Sequence, residues 1–227
     1  MKKLSDQKII DSWEKNARPW VAAVREGEIE SRVLVTNKAI VDAVLGRTPR
    51  LVLDVGCGEG WLVRELAKAG VDSLGIDVVP DLIESAQHAG GGRFRLLSYE
   101  EVSMDILKEK FDLLVCNFSL IGNESVNRLF RLAPTFLHPG GSLIVQTIHP
   151  VAGCGDGKYE DGWREGSWAG FSDSFSDPAP WYFRTLETWK FLFSENGFRL
   201  DEIREPAHPR TQKPASVIFI GVLPVRS

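Results

Sequence analysis

The sequence predicts an α/β fold: a doubly wound, mostly parallel sheet with helices on both faces and an antiparallel strand pair at its edge. Three observations predict it. Short apolar runs alternate with amphipathic stretches between residues 50 and 150. The first of these runs ends in a glycine-rich turn, D-V-G-C-G-E-G at 54–60. Two strand-like runs with no helical pattern between them, 198–206 and 216–225, follow the alternating region and read as an antiparallel pair at the sheet edge.

The elements follow in order. Residues 5–46 read as helical, with Ser31 placed to cap a second helix and Pro49 breaking it. LVLDV (51–55) is a continuous apolar run ended by glycine, as a strand buried on both faces should be. Residues 60–69 are helical and stop at Gly70. DSLGID (72–77) is the second strand, and Pro80 opens a helix over 80–88. RFRLLS (93–98) and FDLLVCN (111–117) are the third and fourth strands. A helix over 124–134 and the turn HPGG (138–141) lead to the fifth, SLIVQTI (142–148). Residues 150–184 lack periodicity, and 187–197 is a helix. An irregular stretch of that length inside one domain is often a functional lid.

Composition narrows the function. Hydrophobic residues make up 43% of the 227 and charged residues 26%, which suits one globular domain with a large core. The net charge of −4 and the lack of a basic stripe disfavour a nucleic-acid partner. No apolar run reaches the roughly 20 residues that span a bilayer, and the start MKKLSDQKII has no apolar signal region, so the expectation is a cytoplasmic protein off the membrane. Cys57, Cys116 and Cys154 are widely spaced without a CxxC, and the four histidines form no HxxxH pair; no metal site is expected.

The glycine-rich turn has a physical task. Gly56, Gly58 and Gly60 allow a sharp bend and a close backbone approach to a ligand, and the following helix points its N-terminal dipole there. Asp77 closes the second strand 23 residues after Asp54, where a carboxylate accepts hydrogen bonds from ribose hydroxyls.

These residues resemble the class I S-adenosylmethionine-dependent methyltransferases. Asp54–Gly60 is similar to their first motif, Asp77 to their ribose-binding acid, and HPGG to a recurrent element before strand five. The resemblance covers residues 35–150 and the terminal strand pair. It implies a Rossmann-like, seven-stranded, mostly parallel sheet whose last strand is reversed, with the cofactor across the C-terminal ends of strands one, two and four. It further implies that Gly56, Cys57 and Gly58 line the methionine portion, that Val78 and Tyr99 flank the adenine, and that Asn117 and Phe118 sit near the sulfonium. The implied reaction is methyl transfer to a small organic acceptor at oxygen, nitrogen or carbon, releasing S-adenosylhomocysteine. One enzymatic alternative is a nicotinamide-dependent dehydrogenase, but its G-x-G-x-x-G fingerprint would need glycine where Trp61 stands. Another is a non-catalytic module that only binds S-adenosylmethionine. String N-F-S-L (117–120) lacks the prolines of the family's nucleic-acid amino-methylating members.

Methyl transfer needs positioning and water exclusion more than acid–base chemistry, and a base helps only where the acceptor must shed a proton. His149, directly after strand five, is the candidate base. Two segments are candidate covers. In the N-terminal one, Trp13 is placed to stack near the cofactor and Arg32 to pair with its carboxylate. In 151–185, the aromatics must pack somewhere, either lining an acceptor pocket or burying the loop against the sheet edge; Trp181 and Tyr182 are the preferred pocket residues. The single domain thus divides into a helical cover (1–46), a cofactor-binding core (47–150), a lid or acceptor-binding insertion (151–185) and a terminal helix with its strand pair (186–227). The sequence leaves the acceptor and the oligomeric state open.

Overall fold

The computed structural model describes residues 4–225; the first three residues of the charged leader and the last two of the terminal unit lie outside them. The chain opens with helix α1 (Asp6–Arg25), followed by a π-helical turn (Arg32–Thr36) that runs into α2 (Asn37–Leu45). Strand β1 (Leu51–Val55), α3 (Trp61–Lys68), β2 (Asp72–Asp77), α4 (Pro80–Ala89), β3 (Arg93–Leu96), a short α5 (Met104–Leu107), β4 (Phe111–Asn117), α6 (Glu124–Phe136) and β5 (Leu137–Thr147) then alternate. After α7 (Pro150–Cys154), a two-stranded antiparallel ribbon pairs β6 (Gly162–Arg164) with β7 (Trp181–Phe183). Helix α8 (Leu186–Glu195), capped by the Thr185 side chain, precedes β8 (Arg199–Arg204) and β9 (Val217–Val222).

The seven strands lie in the order β3-β2-β1-β4-β5-β9-β8. β1 to β5 are mutually parallel, while β9 runs antiparallel to both β5 and β8. The reversed strand is therefore not at the edge: it is hydrogen-bonded on both sides, and β8 forms the edge. Its sequence VIFIGV is buried almost throughout, as a strand covered on both faces must be.

Two cores form because successive side chains of a strand face opposite ways. Leu53, Leu114 and Phe219 pack under α6 and α8, where Phe130 and Phe193 meet edge to face. Val52, Val115 and Ile144 pack under α2 and α3 with Ile40, Val44 and Leu66. Truncating any of the fully buried phenylalanines costs about 3–5 kcal/mol.

Three local readings need correction. Ser31 makes no cap hydrogen bond, because its backbone is already helical and the π-helical turn follows without a break. HPGG does not precede β5 but lies inside it: Leu137 pairs with Phe111, the register then shifts, and Gly140 and Gly141 exchange backbone hydrogen bonds with Leu223. The stretch 150–184 is not wholly irregular, since it holds α7 and the ribbon.

Candidate active site

The C-terminal ends of β1, β2, β4 and β5 open into a cavity of about 430 Å³. This is the end at which parallel α/β sheets bind ligands. Asp54, Gly56, Cys57, Gly58, Asp77, Val78, Tyr99, Asn117 and Phe118 all border it, as do Trp13, Arg32 and Trp181.

The three glycines of the turn do different work. All have positive φ, which favours glycine. At Gly56 a Cβ would stand 2.3 Å from Ser119 Cβ and 2.7 Å from the Tyr99 hydroxyl, so this glycine lets two loops meet. At Gly60 it would strike the Phe94 ring at 2.7 Å; Gly60 is a packing glycine outside the cavity lining. Only at Gly58 does the site face open space, with Trp20 Nε1 the nearest atom at 3.7 Å. Close approach to a ligand is therefore a property of Gly58.

Asp77 anchors this turn to the neighbouring strand. Its carboxylate accepts from the Gly58 N–H at 2.9 Å and the Val79 N–H at 3.0 Å. Burial pushes its pKa up, and these backbone donors oppose the shift. Asp54 lies on the same face of the sheet, one strand away. Burial, followed by the Asp77 charge, raises its pKa to about 7, while Arg32 pulls the other way. Its Oδ1 is buried without a hydrogen-bond partner, and so is the Oδ1 of Asn117. Two unpaired acceptors at one cavity wall are what a ligand bearing N–H or O–H groups would satisfy.

Arg32 comes from the π-helical turn, a feature often found at functional sites. Its guanidinium sits over Trp20 and Trp61, 5.6 and 5.4 Å from the ring centroids, and Nε donates to Asn37 Oδ1. Loss of solvent lowers its pKa, and the charges of Glu59 and Asp54 partly restore it. Trp61 thus borders the cavity where the dehydrogenase fingerprint requires glycine.

The roof is built by α1 and residues 166–180. Trp13 meets Trp20 edge on at 5.0 Å and Trp168 at 5.8 Å, and Trp168 packs on Phe175 at 4.8 Å. The Asn16 side chain reads the Ser176 backbone from both sides, accepting from its N–H at 2.9 Å and donating to its carbonyl at 2.7 Å. Ser12 Oγ donates to the Asp177 carbonyl at 2.6 Å, and Lys15 pairs with the Asp177 carboxylate.

Besides Gly60, two expected residues stand elsewhere. His149 is buried but does not border the cavity: Nε2 is held 2.9 Å from Glu205 and Nδ1 has no partner. Thr147 and Ile148, just before it, do border the cavity. Because α7 begins at Pro150, the chain turns away from the cavity immediately after Ile148. Tyr182 likewise faces away, against Trp163 and Arg184, since side chains alternate along β7 and Trp181 takes the inward position. Sequence reasoning gives no sign of Ser119 and Ile121, and it offers Trp20, Trp168 and Phe171 only as aromatics of the two covers; all five border the cavity. Only the aromatic density of the two covers signalled any of them. Among the described residues, no cluster of three or more His, Cys, Asp or Glu side chains is placed to hold a metal.

Comparison with known proteins fits this geometry. Residues 52–141 match a methyltransferase domain family. The chain is 28% identical over 159 residues to the ubiquinone biosynthesis O-methyltransferase of Glaesserella parasuis, covering 65% of this chain and 66% of that one. It is 31% identical over 104 residues to the same-named protein of Methylococcus capsulatus, covering 44% of each. The matches thus span about half to two thirds of these relatives. In fold it is similar to an S-adenosylmethionine-dependent methyltransferase from Mesorhizobium loti (TM-score 0.62, 22% identity, covering 80% of this chain and 97% of that one). It also resembles the magnesium protoporphyrin IX methyltransferase of Synechocystis with bound S-adenosylhomocysteine (TM-score 0.58, 17% identity, covering 85% and 82%). The reversed β9 between β5 and β8, the glycine turn at the end of β1 and the acid at the end of β2 fit this likeness: the chain is similar in fold to S-adenosylmethionine-dependent methyltransferases, and its residues 52–141 match a methyltransferase domain.

Proposed function

We propose that this protein transfers the methyl group of S-adenosylmethionine to a small, largely apolar organic acceptor. The observation that carries the reading is the division of charge in the cavity. Asp77 stands at the turn where a ribose would lie, while the unpartnered Asp54 and the tryptophan-flanked Arg32 bring an anion and a cation to one end. An amino-acid group carries the complementary pair, an ammonium and a carboxylate.

The residues fit such a cofactor. Asp77 has acceptor capacity beyond its two backbone donors for ribose hydroxyls. Gly58 leaves room for close approach, Asp54 offers Oδ1 to the ammonium, and Arg32 offers its outer nitrogens to the carboxylate. When bound, S-adenosylmethionine supplies a methyl carbon already activated by its sulfonium. The chain's own part is then to orient and to exclude water, which the aromatic roof over the sheet ends is placed to do.

The acceptor half is read from Ile9, Ile10, Ile121, Ile148, Trp168 and Trp181, an apolar lining suited to a flat organic molecule. That lining and the net charge of −4 support a small molecule over a nucleic acid. Among the described residues no helix is long and apolar enough to cross a membrane. All three cysteines are free, which supports a reducing, cytoplasmic setting.

Calorimetric titration with S-adenosylhomocysteine, with NAD(H) and NADP(H) in parallel, tests the reading. Micromolar binding of the first alone is expected, and binding of a nicotinamide instead would overturn it. Arg32→Met should weaken S-adenosylhomocysteine about tenfold yet leave 5′-methylthioadenosine, which lacks the amino-acid group, within about twofold.

A further inference from the structure

Residues 118–123, between β4 and α6, form one wall of the cavity through Phe118, Ser119, Ile121 and Gly122. This segment has no regular secondary structure and Phe118 adopts a positive φ of 56°, so something outside it must fix its shape. The fixing groups come from both ends of the sequence. Arg184, just past β7, donates Nη1 to the Gly122 carbonyl at 2.7 Å and Nη2 to the Asn123 carbonyl at 3.1 Å. Next to it, the Tyr182 N–H donates to the Ile121 carbonyl at 2.8 Å. Three consecutive carbonyls are thus taken by one short stretch. On the other side Asp6, at the start of α1, accepts from the Asn123 N–H at 2.9 Å and the Ser125 N–H at 2.7 Å. Gly122 is needed because a Cβ there would lie 2.8 Å from Asp6 Oδ2 and 2.3 Å from Ser125 Oγ.

Arg184 is an expensive way to hold a loop. It is 3% exposed, and among the described residues no carboxylate lies within ion-pair distance of it. Burial lowers its pKa to about 10, and Tyr182, Asp161 and Asp6 pull the other way. Its guanidinium lies 4.8 Å from the Tyr182 ring centroid and 5.3 Å from that of Trp189. Nη2 also reaches the Asn123 side-chain Oδ1 at 3.4 Å, and a buried cation spent on neutral oxygens and rings acts on geometry.

We propose that Arg184 and Asp6 are positioning residues: a cation on the carbonyls and an anion on the amides of one loop clamp the cavity wall at 118–123. Because Asp6 opens the leader helix and Arg184 follows the ribbon, both covers set the wall that a bound ligand meets. For its binding readout the proposal rests on the methyltransferase reading.

The test uses the full chain with S-adenosylhomocysteine as probe. Arg184→Met should weaken binding roughly tenfold, and Arg184→Lys, which keeps the charge and one carbonyl contact, should recover at least half of that loss on a logarithmic scale. Asp6→Asn can accept only one of the two amides and should weaken binding about fivefold. In the double variant Asp6→Asn/Arg184→Met, the losses should fall clearly short of multiplying, because either cut frees the same loop. Binding within twofold of the unchanged protein in Arg184→Met, no recovery in Arg184→Lys, or losses that multiply would each overturn the clamp. Should Arg184→Met fail to fold, Asp6→Asn still decides through hydrogen exchange. Amides in 118–125 should exchange about tenfold faster while those of β1 stay unchanged, and unchanged exchange in 118–125 would sink the proposal. That readout needs no ligand, so failure of the unchanged protein to bind S-adenosylhomocysteine would count against the proposed function and not against the clamp.

Discussion

The cavity has a floor and a roof of different make. The floor is the ends of β1, β2 and β4, where backbone conformation and main-chain hydrogen bonds place Gly58, Asp54 and Asp77. The roof is α1 against residues 166–180, two segments about 160 residues apart that meet through ring edges, the Asn16 amide, the Ser12 hydroxyl and the Lys15–Asp177 pair. A floor fixed by the sheet cannot adjust without breaking strand pairing. A roof held by a few side chains can part and close at modest cost. From this difference we propose that cofactor recognition belongs chiefly to the floor and exchange to the roof.

Three substitutions sharpen or break that division, taken from the largest effect downward. Gly58→Val puts a branched side chain into the cavity at a φ of +57°. Affinity for S-adenosylhomocysteine should fall at least about 100-fold by calorimetry, with a strain of about 1–3 kcal/mol felt in stability. Retained affinity would mean that the ligand lies elsewhere.

Next is Asp54. Its pKa of about 7 in the folded chain stands above the ordinary 3.8, so the folded state holds the proton longer than the unfolded one. Stability without ligand should therefore be greatest at low pH on this group's account, decline as pH rises from 3.8 towards 7, and level off above. Asp54→Asn removes that decline, so its melting temperature should gain on the unchanged protein across the window, by roughly 5–10 °C at pH 8. Parallel melting curves would show that Asp54 does not titrate there.

The smallest effect is expected in the roof. Asn16→Ala loses both contacts to the Ser176 backbone. In stopped-flow measurements S-adenosylhomocysteine should leave a few-fold faster, with equilibrium affinity changed less than about fivefold. A loss rivalling that of Gly58→Val would erase the distinction between floor and roof.

The same division explains what the sequence made legible. The strands showed as apolar runs because parallel strands are buried on both faces, and the glycine turn and Asp77 showed because backbone geometry restricts residue type locally. Gly60 was read as facing the ligand because its positive φ was visible in the pattern but its neighbour Phe94, 34 residues on, was not. His149 was placed by its distance from β5 alone, whereas its direction depends on the turn at Pro150 and on Glu205 from beyond β8. The roof was foreseen as aromatic, yet the partners of each ring, Trp13 with Trp168 or Trp20 with Phe171, arise from tertiary contact and leave no local signal.

The order of the strands also bears on how the chain folds as it is made. β9 is the last strand in sequence, yet it lies between β5 and β8 and supplies partners to both. Until residue 222 has emerged during synthesis, β5 carries an open edge, and β8, which precedes β9, has no neighbour in the sheet. The glycine turn and its acid can form earlier, within the first half of the chain. The sheet that supports them is sealed only by a late insertion, and the nascent protein must keep the apolar edge of β5 from other chains until then.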